Sequence, residues 1–328
     1  IMIKKLSLFI ILANVFLLSY ANADDKIGIT HELGLQVTGY YSYDEPHLMY
    51  NRSKLIDQIK DESKSLENFG FIYNFKKNIL FNQYLSEFEF DADYRHIKYD
   101  YWSDRTGTLD DVENFVYNLR GLYGVQLTDK LMLKSGFGYR YLLDQDDGRL
   151  STTGHSGYDR IQEYKYIPIV AELVAPIGSI NGKLKLEYDH VFWGHNESKV
   201  SSGTLKFRND DGYMVKASYK IPYKGFYLEP YYEFQSIEES TLDGSAQEPS
   251  NTTDEFGIRL TKKFGDDKLT SISKAKRIAN ISDNYYFGFG LMQTEVESGF
   301  SALTGTAALD EKDLGQKLFA GINLHENF

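Results

Sequence analysis

The sequence predicts an all-β protein: an antiparallel up-and-down transmembrane β-barrel of ten strands, with twelve as the alternative. Three observations predict it. Apolar and polar residues alternate with period two over stretches far longer than the ~5–6 residues of ordinary strands. The connections between these stretches alternate between short turns and long polar loops, as transmembrane barrels require. The N-terminus reads as a secretory signal, and no later segment is long and apolar enough for a membrane helix, so a membrane location demands strands.

Composition agrees. The chain of 328 residues carries 36 Lys plus Arg against 47 Asp plus Glu, a net charge of -11, which argues against general nucleic-acid binding. It has 26 Tyr, 21 Phe and 27 Gly, only 6 Pro, and no Cys, so thiol chemistry and disulfides are excluded. Lys4 and Lys5 precede an apolar run, Leu6 to Leu18, and then "SYANADD". Ala21 and Ala23 occupy the two positions a signal peptidase reads, placing cleavage before Asp24 and the signal at 1–23. Ile1 before Met2 reads as a reading-frame boundary not trimmed to the start codon.

Ten strands follow, at 27–43, 67–75, 84–101, 113–127, 131–145, 161–175, 182–194, 212–221, 225–238 and 254–264. In "LMLKSGFGYRYLL" Leu131, Leu133, Phe137, Tyr139 and Tyr141 share one face, with Lys134, Gly136, Gly138 and Arg140 on the other. "YLSEFEFDADYR" is sharper, with Phe88, Phe90 and Tyr94 opposite Glu87, Glu89, Asp91, Asp93 and Arg95. "FYLEPYYEFQ" repeats the pattern. The short connections are 128–130, 176–182 and 222–225. The long ones are 44–66, 102–112, 146–160, 195–211 and 239–253. Within the first, Leu55, Ile56, Ile59 and Leu66 fit the stripe of a short helix, and a disordered polar loop fits as well.

A lipid-facing apolar side puts the other face in the lumen. That face carries Glu32, Glu87, Glu89, Asp91, Asp93, Glu172, Glu187, Asp189, Glu229 and Glu233. It also carries Arg95, Arg120, Lys134, Arg140, Lys185, Lys216, Lys220 and Arg259. Charges confined in a lumen of eight to ten strands pair with one another, because an unpaired one is costly there. The expectation is a lumen largely filled by salt bridges; a wider one would make the same residues a selectivity lining.

The hairpin "NLRGLYGVQLTDKLMLKSGFGYRYL", the strand "EYKYIPIVAEL" and the pair "GFYLEPYYEF…NTTDEFGIRL" resemble the repeating unit of the bacterial outer-membrane β-barrel superfamily that includes opacity-type and OmpA-type barrels. The resemblance spans residues 27 to 264 and rests on pattern and glycine–aromatic placement. It implies a Gram-negative outer-membrane location and surroundings of outer-membrane lipid and lipopolysaccharide. It also implies dependence on barrel-assembly machinery, and a role as small pore, adhesin or structural protein.

Enzymatic sites are few. His155 and Ser156 adjoin in "STTGHSGYDR", Asp189 and His190 adjoin on a strand, and "DYWSD" (100–104) offers rim carboxylates. Adjacent residues of an extended segment point opposite ways, so His155 and Ser156 make no nucleophile–base pair, and the motifs around Asp189-His190 and "DYWSD" do not match those of omptin-type rim proteases. No metal-site spacing and no phosphate loop is present, and no cofactor is expected. The reading is a non-enzymatic barrel with a structural or surface-interaction role. A narrow small-solute channel is the alternative and a rim-sited hydrolase the second.

After Phe264 the pattern changes. Residues 265–284 read as a periplasmic linker, and 285–328 as one more hairpin. It either closes a twelve-stranded barrel or begins a truncated second one, the latter preferred.

Overall fold

The computed structural model describes residues 28–48, 55–63, 67–81, 84–200, 203–241, 247–265, 285–295 and 312–322. Its strands are β1 (Ile29–Leu48), β2 (Leu55–Ser63), β3 (Phe69–Phe81), β4 (Tyr84–Ser103), β5 (Gly107–Gln126), β6 (Leu131–Gln145) and β7 (Asp159–Val174). They continue with β8 (Lys183–Val200), β9 (Gly203–Arg208), β10 (Gly212–Tyr223), β11 (Phe226–Ile237), β12 (Asn251–Gly265), β13 (Tyr285–Glu295) and β14 (Lys312–Ile322). All ten expected barrel strands are present. The expected signal peptide and the linker residues 266–284 lie outside the described residues.

Every neighbour in the ring is antiparallel, and β12 closes onto β1 from Thr30↔Gly265 to Asp44↔Thr252. Two positions are shared. β3 pairs the lower half of β1 and β4, while β2 continues the same position upward against Tyr41–Leu48 and Asp100–Ser103. Likewise β9 covers the end of β8 above the segment that pairs with β10. The strands therefore make ten ring positions. The twelve-stranded alternative is not realised, because the ring is already complete at β12; β13 and β14 form their own two-stranded sheet.

Three loop expectations are corrected. The first long loop is neither helix nor disorder over its described part: β1 runs on to Leu48 and β2 is a strand. Leu66 lies outside the described residues. Residues 102–112 are mostly strand, with β4 and β5 each of 20 residues and only 104–106 between them. Residues 195–211 are mostly the ends of β8 and β9. The physical reason is the same in each case. A polar segment is free to extend a hairpin because antiparallel pairing satisfies its backbone groups without an apolar face.

The wall is apolar outside. Phe137 is 70 % exposed, Ile169 57 % and Leu35 56 %, and similar side chains continue around the ring on β1, β3 to β8 and β10 to β12. On this face the partners Phe71, Tyr94, Tyr117 and Tyr141 form a ladder of rings with centroids 6.4, 5.1 and 6.1 Å apart. Such cross-strand pairs pin register, since a slip of one residue would turn every side chain to the wrong face.

Candidate functional site

The lumen changes character from one end to the other. Near the short turns it is ionic. Lys134 of β6, its side chain fully buried, donates to Glu87 at 2.5 Å, to Glu172 at 2.8 Å, and to Glu89. Lys76 of β3 lies 3.5, 3.3 and 3.3 Å from the same three glutamates. Two ammonium groups thus sit among three carboxylates drawn from β4 and β7, each charge facing its opposite. Lys185 reaches Glu89 and Glu187 only at 3.9 Å. Lys220 donates to Glu32 at 2.6 Å and lies 3.6 Å from Glu229, which also accepts from Arg259 at 3.3 Å.

At this end a cavity of about 560 Å³ remains, lined by Lys76, Glu172, Lys183, Lys185, Lys220 and Glu229 among others. Above it the side chains close in. Arg120 bonds Asp91 at 2.5 Å and also Glu187. Lys216 Nζ lies 2.9 Å from Asp189 Oδ2. Arg95, 1 % exposed, crosses the lumen to Glu255 at 2.5 Å and Glu233 at 3.3 Å, with Asp93 at 3.2 Å from its Nε. Glu255 is further held by the Tyr231 hydroxyl at 2.6 Å and the Thr38 hydroxyl at 2.9 Å.

Higher still the inner face becomes apolar. Tyr41, Tyr43, Ile97, Tyr99, Val112, Val116 and Leu142 pack as one cluster. Tyr164, Tyr166, Val191, Met214 and Ile237 pack as a second. The Tyr166 hydroxyl donates to Asn118 at 2.6 Å. Arg140 is buried near this level, its Nε and Nη1 without hydrogen-bond partners. An apolar plug inside the lumen was not part of the sequence reading: Ile97 and Tyr99 continue the inner phase of Glu87 to Arg95, but Tyr41 and Tyr43 share the phase of the outward Leu33 and Leu35 and turn inward only through the irregularity between Thr38 and Tyr40.

The remaining sequence candidates separate. Asp189 is 0 % exposed and faces Lys216 inside, while His190 points outward and is exposed. The His155 ring meets the Thr153 hydroxyl at 2.9 Å, not Ser156. Asp100 accepts from the Asp111 backbone amide at 3.1 Å, and Asp104 from that of Gln58 at 3.2 Å. Ala21, Ala23 and Asp24 lie outside the described residues. Among the described residues no group of three or more His, Cys, Asp or Glu is set to hold a metal ion.

Sequence reasoning missed Lys76, which falls just past the expected strand end at 75, and Glu255, the partner of Arg95. It also missed a group at the loop end: Glu45, Asp61, Asp144, Arg160 and Glu248. Arg160 Nη1 lies 2.9 Å from Glu45 Oε2 and 3.6 Å from Glu248 Oε1, and Nη2 lies 3.6 Å from Asp144 Oδ2. The inner phase of β7, which Arg160 shares with Glu172, carried the first signal for this group; Glu45 turns inward only past the β1 irregularity between Thr38 and Tyr40.

No family model matches the chain, and no curated protein matches it. Among solved structures, the outer membrane protease OmpT from Escherichia coli is similar with a TM-score of 0.47 at 10 % identity, covering 74 % of this chain and 99 % of that one. The COG4313 outer membrane channel from Pseudomonas putida F1 is similar with a TM-score of 0.33 at 10 % identity, covering 74 % and 97 %. The P. putida toluene transporter TodX scores 0.27 at 8 % identity, covering 74 % and 90 %.

Proposed function

We propose that the chain is a non-enzymatic bacterial outer-membrane β-barrel with a structural or surface-interaction role, of the broad kind that includes opacity-type and OmpA-type barrels. The membrane reading is supported by the exposed apolar belt. A contiguous band of Leu, Ile, Phe and Tyr around a closed wall is costly in water and favourable in hydrocarbon. Its surroundings are outer-membrane lipid and lipopolysaccharide. The short turns face the periplasm and the extended hairpins face outward. Protease added to intact cells then cuts within 146–158 and spares 128–130 and 222–225.

One observation carries the passive role: the lumen is filled at the loop end by two buried apolar clusters and by the Arg95 bridge below them. Purified protein in planar bilayers is expected to show no steady conductance. The alternative, a narrow small-solute channel, is favoured by the cavity of about 560 Å³ at the turn end. A stable ohmic current from the wild type would establish that reading and overturn the first.

A further inference from the structure

The loop-end group contains more negative charge than its neighbours can balance. Glu45, Asp61, Asp144 and Glu248 are 2, 1, 7 and 7 % exposed. Arg160 lies among them, His47 lies 2.8 Å from Glu45, and Arg140 is buried nearby, facing Tyr41 and Tyr164 beside the same carboxylates. Asp61 Oδ1 has no hydrogen-bond partner, yet the carboxyl faces Asp144, Arg160 and Glu45. Four buried carboxylates with two guanidiniums, Arg160 among them and Arg140 nearby, do not all ionise in a space closed to water.

A positive ligand must make up the difference, and the geometry selects its size. The acceptors do not converge on one point. Glu45 is engaged by Arg160, His47 and the Tyr43 hydroxyl; Asp144 Oδ1 accepts from Tyr99 at 2.6 Å; Glu248 Oε1 accepts from Asn196 at 2.6 Å. A metal ion needs several oxygens at one centre; a proton needs only one.

We propose that this group is a proton-binding site that latches the stem 247–250, through Glu248, to the walls of the barrel mouth. The stem is placed for it. The Glu248 amide donates to Ser240 Oγ and its carbonyl accepts from the Ser240 amide, both at 2.9 Å. Its side chain reaches inward to Asn196 of β8 and Arg160 of β7. The charged and titratable groups facing it are Tyr43, Glu45 and His47 of β1, Tyr158 ahead of β7, and Arg160 and Tyr164 of β7; Asp61 of β2 and Asp144 of β6 face Arg160 in turn, and Arg140 of β6 faces Tyr164. In the docked stem, burial and then the neighbouring Glu45 push the Glu248 carboxyl up to about 7. A free stem titrates in the ordinary carboxylate range. The docked form therefore holds the proton more tightly. Docking is at full strength below the ordinary range and weakens as pH rises from there through about 7.

The chain has no cysteine, so Ser250→Cys carries a single environment-sensitive fluorophore in the full-length protein reconstituted into phosphatidylcholine vesicles. Titration from pH 4 to 9 is expected to show one transition centred near neutrality. Glu248→Gln is expected to abolish it, leaving the stem in its acid signal at every pH. Glu45→Gln is expected to move the midpoint down by about one unit or more, as loss of a like charge at close range does. Heat-modifiable migration in gels reports separately that each variant is folded. A wild-type signal flat in pH, a transition unchanged in Glu248→Gln, or a Glu45→Gln midpoint that stays or rises would each overturn the proposal.

Discussion

Arg95 of β4 and Glu255 of β12, three steps apart around the ring, meet inside the lumen at 2.5 Å. The pair joins walls that share no backbone hydrogen bond, so it resists ovalisation that the ladders alone allow. Its worth lies chiefly in not being broken. Arg95→Ala leaves Glu233 and Glu255 buried without their cation and is expected to cost about 3–5 kcal/mol. Arg95→Met combined with Glu233→Gln and Glu255→Gln removes the charges together and is expected to cost much less. Urea unfolding in lipid vesicles measures both; an Arg95→Ala variant as stable as wild type would show that the bridge is incidental.

Phe137 reports on the outside of the same wall. At 70 % exposure it gains nothing from protein packing, so its environment is whatever surrounds the barrel. In hydrocarbon, Phe137→Arg is expected to destabilise the vesicle-embedded protein by about 2–4 kcal/mol if the residue lies near the midplane. A neutral outcome in vesicles would place this strand face in water.

Gly138 is required by its neighbour. A β-carbon there would sit 2.1 Å from the Tyr166 ring, which fills the lumen at that height and donates to Asn118. Gly138→Val is expected to cost about 1–3 kcal/mol by overpacking and to weaken the near-ultraviolet tyrosine signal. An unchanged spectrum with full stability would mean that Tyr166 has another place to go.

Asp146, just past β6, gives the barrel an acid preference of its own. Burial, and next the neighbouring Asp144, push its carboxyl up to about 6. Because the folded value is raised, its contribution is fully present below the ordinary carboxylate range and is lost as pH rises through about 6. Asp146→Asn is expected to change little at pH 4.5 and to raise the urea midpoint relative to wild type at pH 7.5. Equal differences at the two pH values would contradict the assignment.

Much of this was legible in period two alone. Glu87, Glu89, Asp91, Asp93 and Arg95 alternate so regularly that their common face needs no tertiary information. Height around the lumen is another matter. Alternation tells that Arg160 points inward, but Glu45 does so only past the β1 irregularity between Thr38 and Tyr40, and their meeting depends on strand tilt and stagger, which no single strand encodes. The extended hairpins were missed for a local reason. Pro46 and His47 in "DEPHL" carry turn-like chemistry, yet Pro46 pairs with Gln58 within the β1–β2 ladder. Proline is tolerated where its missing donor faces away from a partner.

The seam between β1 and β12 gives the chain an unusual freedom. Thr30 and Gly265 are register partners, and the Thr261 hydroxyl donates to Glu32 although the two lie 229 positions apart. The beginning and end of the ring therefore meet at the same rim. Geometrically the barrel has no first strand. Joining 265 to 29 through a short linker and opening the chain at 104–106 would trace the same ten-position cylinder, with the longest-range seam converted into an ordinary hairpin. Which pairing forms last is thus set by where the chain is cut, while the finished architecture is indifferent to it.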